Sequence, residues 1–183
     1  MNTIQYEPFL VMLSYVISVF GSYTALQLAI AIPQGRTWGA VIGSVIGAAT
    51  AVGGGAIWSM HFIGMNAADL GIPVAYDPVL TITSLILSIL APAVGLFIVG
   101  RSDGGPINLP LGGVLTGLGV ALMHYTGMYA LKLEPTKEAV VNTGIALSPT
   151  NLAYSVFGVT AVLLTLLLIY SAWKAQRTLS ADL

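Results

Sequence analysis

The sequence has no cysteine. Disulfide frameworks, thiolate metal sites and cysteine nucleophiles are excluded together. Charge is nearly as scarce. Six Lys and Arg and seven Asp and Glu make up 7% of 183 residues, against about 25% in an average soluble domain. The formal net charge of −1 supplies no basic field for nucleic acid. Histidine is limited to two residues. No Ser-His-Asp set, paired-carboxylate site, P-loop or dinucleotide-binding pattern is present. Gly53-Gly54-Gly55 lies inside an apolar run rather than between a strand and a helix, so it is not a phosphate loop. These absences favour a binding protein over an enzyme.

What remains is apolar: 56% of residues are hydrophobic and the mean hydropathy is +0.90. This is the composition of an integral membrane protein of one domain, with no length left for a soluble catalytic domain of ordinary size. The few charges punctuate the chain. Uncharged stretches cover 8–35, 37–68, 78–100, 104–131 and 139–173, each long enough for the roughly 20 residues of a membrane helix. The expected fold is an all-α membrane bundle of five helices, near 8–31, 38–66, 78–100, 109–131 and 149–173. Pro8, Pro78 and Pro149 suit first-turn positions of the first, third and fifth helices, and Glu7 and Asp77 beside them favour a helix N-terminus. Residues 1–7 carry no Lys or Arg, and the first apolar run exceeds a signal-peptide core, so it reads as a retained helix.

Arg36, Arg101, Lys174 and Arg177 fall on one side of such a bundle. Lys132 and Lys137 fall on the other, diluted by Glu134 and Glu138. The positive-inside rule then predicts an outside N-terminus and an inside C-terminus. Trp38 and Trp173 suit the inner aromatic belt, and Tyr6 and Tyr76 suit outer anchors or hydrogen-bond donors to a histidine.

The chain repeats. Tyr6-Glu7-Pro8 opens the first helix and Tyr76-Asp77-Pro78 opens the third, with Ser14 and Ser84, then Ser18 and Ser88, following at matched offsets. The second and fourth helices end in paired motifs, Met60-His61-Phe62-Ile63-Gly64-Met65 and Met123-His124-Tyr125-Thr126-Gly127-Met128. The unit is a helical hairpin, and the fifth helix, with Ser148-Pro149 and Ser155, opens a third unit. Same-direction repeats imply pseudo-symmetry about the membrane normal. Small residues recur at every fourth position, at Gly39, Gly43, Gly47, Ala51, Gly55 and Ser59, and again at Gly113, Gly117 and Ala121. Such rows let backbones approach in lipid. They are expected either to join the two motif helices or to form an ordinary packing seam, within one protomer or in a homo-oligomer.

The motifs hold both histidines. Each has a methionine one helical turn on, so His61 and Met65 share a face, as do His124 and Met128. Two imidazoles and two thioethers form a soft set that suits Cu(I), and Cu(II) where geometry tolerates both. Met60 and Met123 point about 100° away along the helix and serve as alternative ligands, an entry path for the ion, or packing. Met12 is a weaker candidate. Zinc would need a third His or a carboxylate such as Asp69. Haem could take the two histidines axially, non-covalently since no Cys-x-x-Cys-His exists. The bland alternative is an interhelical hydrogen bond, but packing needs no repeated soft-ligand set. Trp58 is placed to pack over the first motif. Tyr125 is either redox-active beside copper or a buried hydroxyl with a partner.

With these residues in view the chain resembles the bacterial MHYT domain. Met123-His124-Tyr125-Thr126 matches its signature, Phe62-Ile63 is a variant of it, and the Tyr-acidic-Pro openings and Ser22-Tyr23-Thr24-Ala25-Leu26 agree. The resemblance covers nearly the whole chain. It implies a sensor of the bacterial inner membrane that binds copper through Met and His and responds to copper, oxygen, carbon monoxide or nitric oxide. It also implies a signalling partner, often a cyclic-di-GMP or histidine-kinase domain. A further motif-bearing helix usual in the family is absent here, and so is an output domain. The rival functions are copper transport or delivery, an oxidoreductase acting on a small gas or a quinone, and a haem protein. Transport is disfavoured by the Gly and Ala of the inner halves of the second and fourth helices.

Overall fold

A computed structural model of the chain describes residues 5–32, 37–69, 74–101, 106–133 and 149–181. Five long helices account for most of them: α1 (Pro8–Ala29), α2 (Trp38–Ala67), α3 (Pro78–Arg101), α4 (Asn108–Ala130) and α5 (Pro149–Ala181). All five are long and apolar enough to cross a membrane. The protein is a multi-pass membrane protein of all-α class, as the composition requires. Side chains such as Leu26, Val79, Leu109 and Val159 are exposed along the helices. In water this would be an anomaly, whereas in lipid it is the ordinary outer face.

The helix bounds agree with the sequence reading to within a few residues except at α5, which continues eight residues past 173. Charge spacing marks where lipid ends, not where helix ends. Lys174, Gln176 and Arg177 are good helix formers, and the Arg177 guanidinium lies 3.9 Å over the Trp173 ring, so nothing stops the helix there.

Four short strands, unforeseen, close the hairpins. β1 (Gln5–Tyr6) pairs antiparallel with β2 (Ala68–Asp69), tying the start of α1 to the end of α2. β3 (Val74–Tyr76) pairs with β4 (Leu131–Leu133), tying the start of α3 to the end of α4. The Tyr-acidic-Pro opening now has a mechanical account. Tyr6 pairs with Ala68, and Tyr76 with Leu131. The acidic residue donates its backbone N–H to the last carbonyl of the partner helix, Glu7 to Ala67 at 2.8 Å and Asp77 to Ala130 at 2.8 Å. Its carboxylate caps its own helix: Glu7 accepts from Leu10 N at 2.8 Å, and Asp77 from Val79 N at 3.0 Å and Leu80 N at 3.1 Å. The proline supplies the first turn, where no N–H is missed. Ser14 and Ser84, both buried, donate to Val11 O and Thr81 O, each at 2.7 Å.

The centre of the bundle is α2. Half of its span is buried within the protein, against 22% for α3 and 17% each for α4 and α5. Between Thr50 and Trp58 it winds as a π-helix, a rare form frequently found at functional sites. The neighbours press against this wide segment. A methyl group on Gly21 of α1 would lie 2.6 Å from Ala56 N, and one on Gly55 would lie 2.7 Å from Leu164 of α5. A methyl on Gly53 would collide with the Ser88 carbonyl oxygen of α3. That carbonyl is available because Pro92 has no N–H to return four residues back. The Gly53 Cα can approach it as a weak C–H donor. A repeat of the same contact joins α3 and α4. There a methyl on Gly119 would strike Ala91, the residue at the position equivalent to Gly21, as Gly119 is equivalent to Ala56.

The small-residue rows therefore do not bring the two motif helices together. Gly39, Gly43, Gly113 and Gly117 have no atom within 4 Å of a methyl placed on them. The α2 row packs at Gly47, against Leu28 of α1, and at Gly55 and Ser59, against Leu164 and Thr160 of α5. α4 packs along α3 through Gly95, Gly112 and Gly119 and touches α2 sparingly.

Two outcomes follow. Gly53→Ala should lower the stability of the detergent-solubilised protein by about 1–3 kcal/mol through overpacking, whereas Gly43→Ala should leave it unchanged or improve it. Equilibrium unfolding of both variants checks this, and equal stability would mean that α3 does not rest on the Gly53 backbone. Asp77 is held below the ordinary carboxylate range by the Leu80 N–H and by Lys132, whose Nζ lies 3.0 Å away. Its contribution is complete above the unfolded-state value and is lost as pH falls through the depressed one. The gap between the thermal melts of wild type and Asp77→Asn should close at strongly acidic pH. A gap constant down to pH values below the usual carboxylate range would exclude the cap as its source.

Candidate metal centre

The two motif ends converge. His61 on α2 and His124 on α4 face each other edge to face, with ring centroids 4.9 Å apart and planes at 66°. Their surroundings differ. His61 is half-buried and His124 exposed. His61 Nε2 is itself buried and has no hydrogen-bond partner among the described residues. A methyl group on Gly127, one turn after His124, would lie 3.0 Å from that nitrogen.

The first motif is held firmly. The Ser59 hydroxyl donates to Gly54 O at 2.8 Å, bridging the π segment, and lies 2.9 Å from the Thr160 hydroxyl of α5. Trp58 Nε1 donates to Ser84 Oγ of α3 at 3.0 Å. Its ring stacks on Phe62 at 5.1 Å, and Phe62 packs against Tyr76 at 4.8 Å. Trp58 thus packs over the motif as its sequence position implies. Tyr76 is not a plain interface anchor. Burial pushes its hydroxyl up to about 12, against an opposing hydrogen bond from Asn66, so it stays neutral across the physiological range. Asn66 donates to Phe62 O at 2.8 Å, and its buried Oδ1 has no partner among the described residues.

The second motif is less enclosed. Tyr125 is 65% exposed with its ring 5.4 Å from His124, so the expected buried hydroxyl is not found. The face it occupies is covered on α2 but open on the peripheral α4. The methionines divide. Met123 is buried, Met65 half-buried, and Met60, Met128 and Met12 exposed. Met65 and Met128 keep the one-turn relation to their histidines that helix geometry dictates. Among the described residues no group of three or more His, Cys, Asp or Glu side chains assembles. Of the acidic groups near this end, Asp77 is engaged by Lys132, Glu7 caps α1, and Asp69 lies in β2.

Sequence reasoning brought the two histidines together correctly but missed Gly127, Asn66 and Thr160. The glycine had a signal, since both motifs carry Gly three residues after His. Thr160 had none, because a threonine in an apolar helix usually bonds its own preceding turn.

The MHYT profile, described as a bacterial signalling protein N-terminal repeat, matches residues 54–110 and 117–181. Curated relatives agree. The chain is 42% identical over 132 residues to MucR of Pseudomonas aeruginosa, a bifunctional diguanylate cyclase/cyclic di-GMP phosphodiesterase, covering 71% of this chain and 19% of that protein. It is 32% identical over 136 residues to the cyclic di-GMP phosphodiesterase NbdA of the same organism, covering 72% and 16%. It is 32% identical over 133 residues to the signalling protein YkoW of Bacillus subtilis, covering 70% and 16%. The chain thus spans less than a fifth of the length of these relatives. No solved structure matches. Two repeats, each carrying a Met-His motif and both matched by the profile, make this chain a member of the MHYT family of bacterial signalling-protein membrane domains.

Proposed function

We propose that the chain is the sensing module of a bacterial inner-membrane signalling system and that its two motifs share one copper ion, with Cu(I) preferred. The observation that carries this reading is the buried His61 Nε2, without a hydrogen-bond partner among the described residues and beside Gly127 of the second motif. A buried polar atom left unpaired costs about 1–3 kcal/mol. A soft cation, when bound, takes up that lone pair and draws on imidazole and thioether donors. His61 and His124 would hold it, with Met65 and Met128 one turn on and Met60 and Met123 as further thioethers. The donor set fits: two imidazoles in contact, sulfur on the same helix faces, and no competing carboxylate in a three-membered acidic or imidazole cluster among the described residues.

The same geometry weighs against the rivals. Rings 4.9 Å apart are in direct contact, which leaves no porphyrin-sized gap for two axial ligands of one haem. Zinc lacks a third His or carboxylate among the described residues, which its sites ordinarily require. Transport lacks ligands at the opposite end of α2 and α4, where Gly39, Gly43 and Gly113 stand. An oxidoreductase lacks any recognisable substrate group.

The signal is copper itself, or oxygen, carbon monoxide or nitric oxide acting at the same site. Occupancy shifts the bundle only through unequal affinity for two of its states. His61 is joined to α5 through Ser59 and Thr160, and α5 extends beyond the apolar span. The motif end faces outward by the balance of Lys and Arg, so α5 delivers the change to the cytoplasm. The output we favour is cyclic di-GMP turnover, the activity named for MucR and NbdA, on the same polypeptide or a partner.

Metal and haem content of the detergent-purified protein tests this reading. Near-stoichiometric copper should be present after loading, be lost in both His61→Ala and His124→Ala, and be accompanied by no Soret band. Copper retained in either single variant would refute a shared site, and a protein that takes up neither metal nor haem would return the histidines to a packing role.

A further inference from the structure

The two motifs are near-identical in sequence, yet their glycines stand in different surroundings. Gly64, three residues after His61, has no atom within 4 Å of a methyl placed on it. Gly127, three residues after His124, faces the other motif: its methyl would lie 3.0 Å from His61 Nε2 and 3.4 Å from His61 Cδ2. The nitrogen beside this space is the buried one that has no hydrogen-bond partner among the described residues. A hydrogen in place of a methyl therefore leaves free the approach to that imidazole nitrogen from α4.

We propose that Gly127 keeps open the coordination position on His61 Nε2, so that the glycine of the second motif serves the histidine of the first. This deepens the copper reading and rests on it. Gly127 is a positioning residue. It contributes no donor atom, and sets the size of the group that can sit on the nitrogen. A methyl group there would crowd the nitrogen at 3.0 Å, where a donor-bound ion would have to approach. Gly64 occupies the equivalent place in the repeat without this role, which provides an internal control of identical chemistry on an equivalent helix.

The experiment compares Gly127→Ala with Gly64→Ala in the full chain, using Cu(I) alone as the probe and a colorimetric Cu(I) chelator as competitor. Gly127→Ala should weaken Cu(I) binding by about tenfold or more, the scale on which residues supporting a ligand act, while Gly64→Ala should match wild type. Thermal melts without metal should coincide for all three proteins, and the upward shift on adding Cu(I) should shrink only in Gly127→Ala. Equal affinity of wild type and Gly127→Ala would overturn the assignment while leaving the copper site intact. A clear drop of the metal-free melt in Gly127→Ala would overturn it too, making this a packing glycine. Failure of wild type itself to bind Cu(I) would remove the copper reading and the assignment together.

Discussion

The bundle depends on one constraint, the close approach of three helices to the glycine-rich π segment of α2. In lipid there is no hydrophobic drive between helices, so association rests on dispersion, on hydrogen bonds and on how near the backbones come. At Gly53 the backbone of α2 meets a carbonyl of α3 that Pro92 has released. Ala56 meets Gly21 of α1, and Gly55 receives Leu164 of α5. A side chain at Gly53 or Gly55 would push a neighbour away. The π turn changes the direction of residues beyond it relative to a continuous α-helix. The residues immediately beyond it are Ser59 and Met60, followed by His61. The packing of the core and the aim of the first histidine are set by the same nine residues.

Repetition supplies parts, and context gives them different work. Both hairpins are latched by the same ladder, acidic cap and proline, and both cross through a Gly–Ala pair with the two residues exchanged. α2 is then enclosed by α1, α3 and α5, while α4 leans on α3. The outcome is one histidine partly buried with an unpaired nitrogen and one histidine exposed. Two histidines in identical settings would face each other symmetrically. Here one is fixed and the other is carried on a helix with few neighbours.

Much of this was legible in the sequence because membrane proteins obey few rules strictly. Sparse charge gave five spans nearly to the residue, and the doubled Met-His motif pointed to the meeting of His61 and His124. The openings at Glu7 and Asp77 identified helix starts. What escaped reading depended on partners. The four strands are two or three residues long and lack any periodicity to detect. The π segment has no signature beyond its glycines. The rows at Gly39, Gly43, Gly113 and Gly117 obey the small-residue pattern, yet a methyl placed on any of them would meet no described atom within 4 Å, because a pattern gives a face's shape but not what lies against it. Tyr125 failed for the same reason: whether a hydroxyl is buried depends on whether its helix is central or peripheral.

The unequal enclosure of the two histidines bears on the signalling proposed above. His61 Nε2 is buried and has no hydrogen-bond partner among the described residues, and on the copper reading a ligand that satisfied it would recover about 1–3 kcal/mol in conformations where the second motif is near. A ligand shifts such an equilibrium by the whole difference in its affinity for the two states, and this contact is one part of that difference. In that proposal the helix that would move is α4, whose contacts with α2 are few. The helix that would respond is α5, whose Thr160 lies 2.9 Å from the hydroxyl of Ser59, two residues from His61. A loosely held α4 on one side and an α5 joined to α2 on the other would let a small local gain act along the length of the bundle.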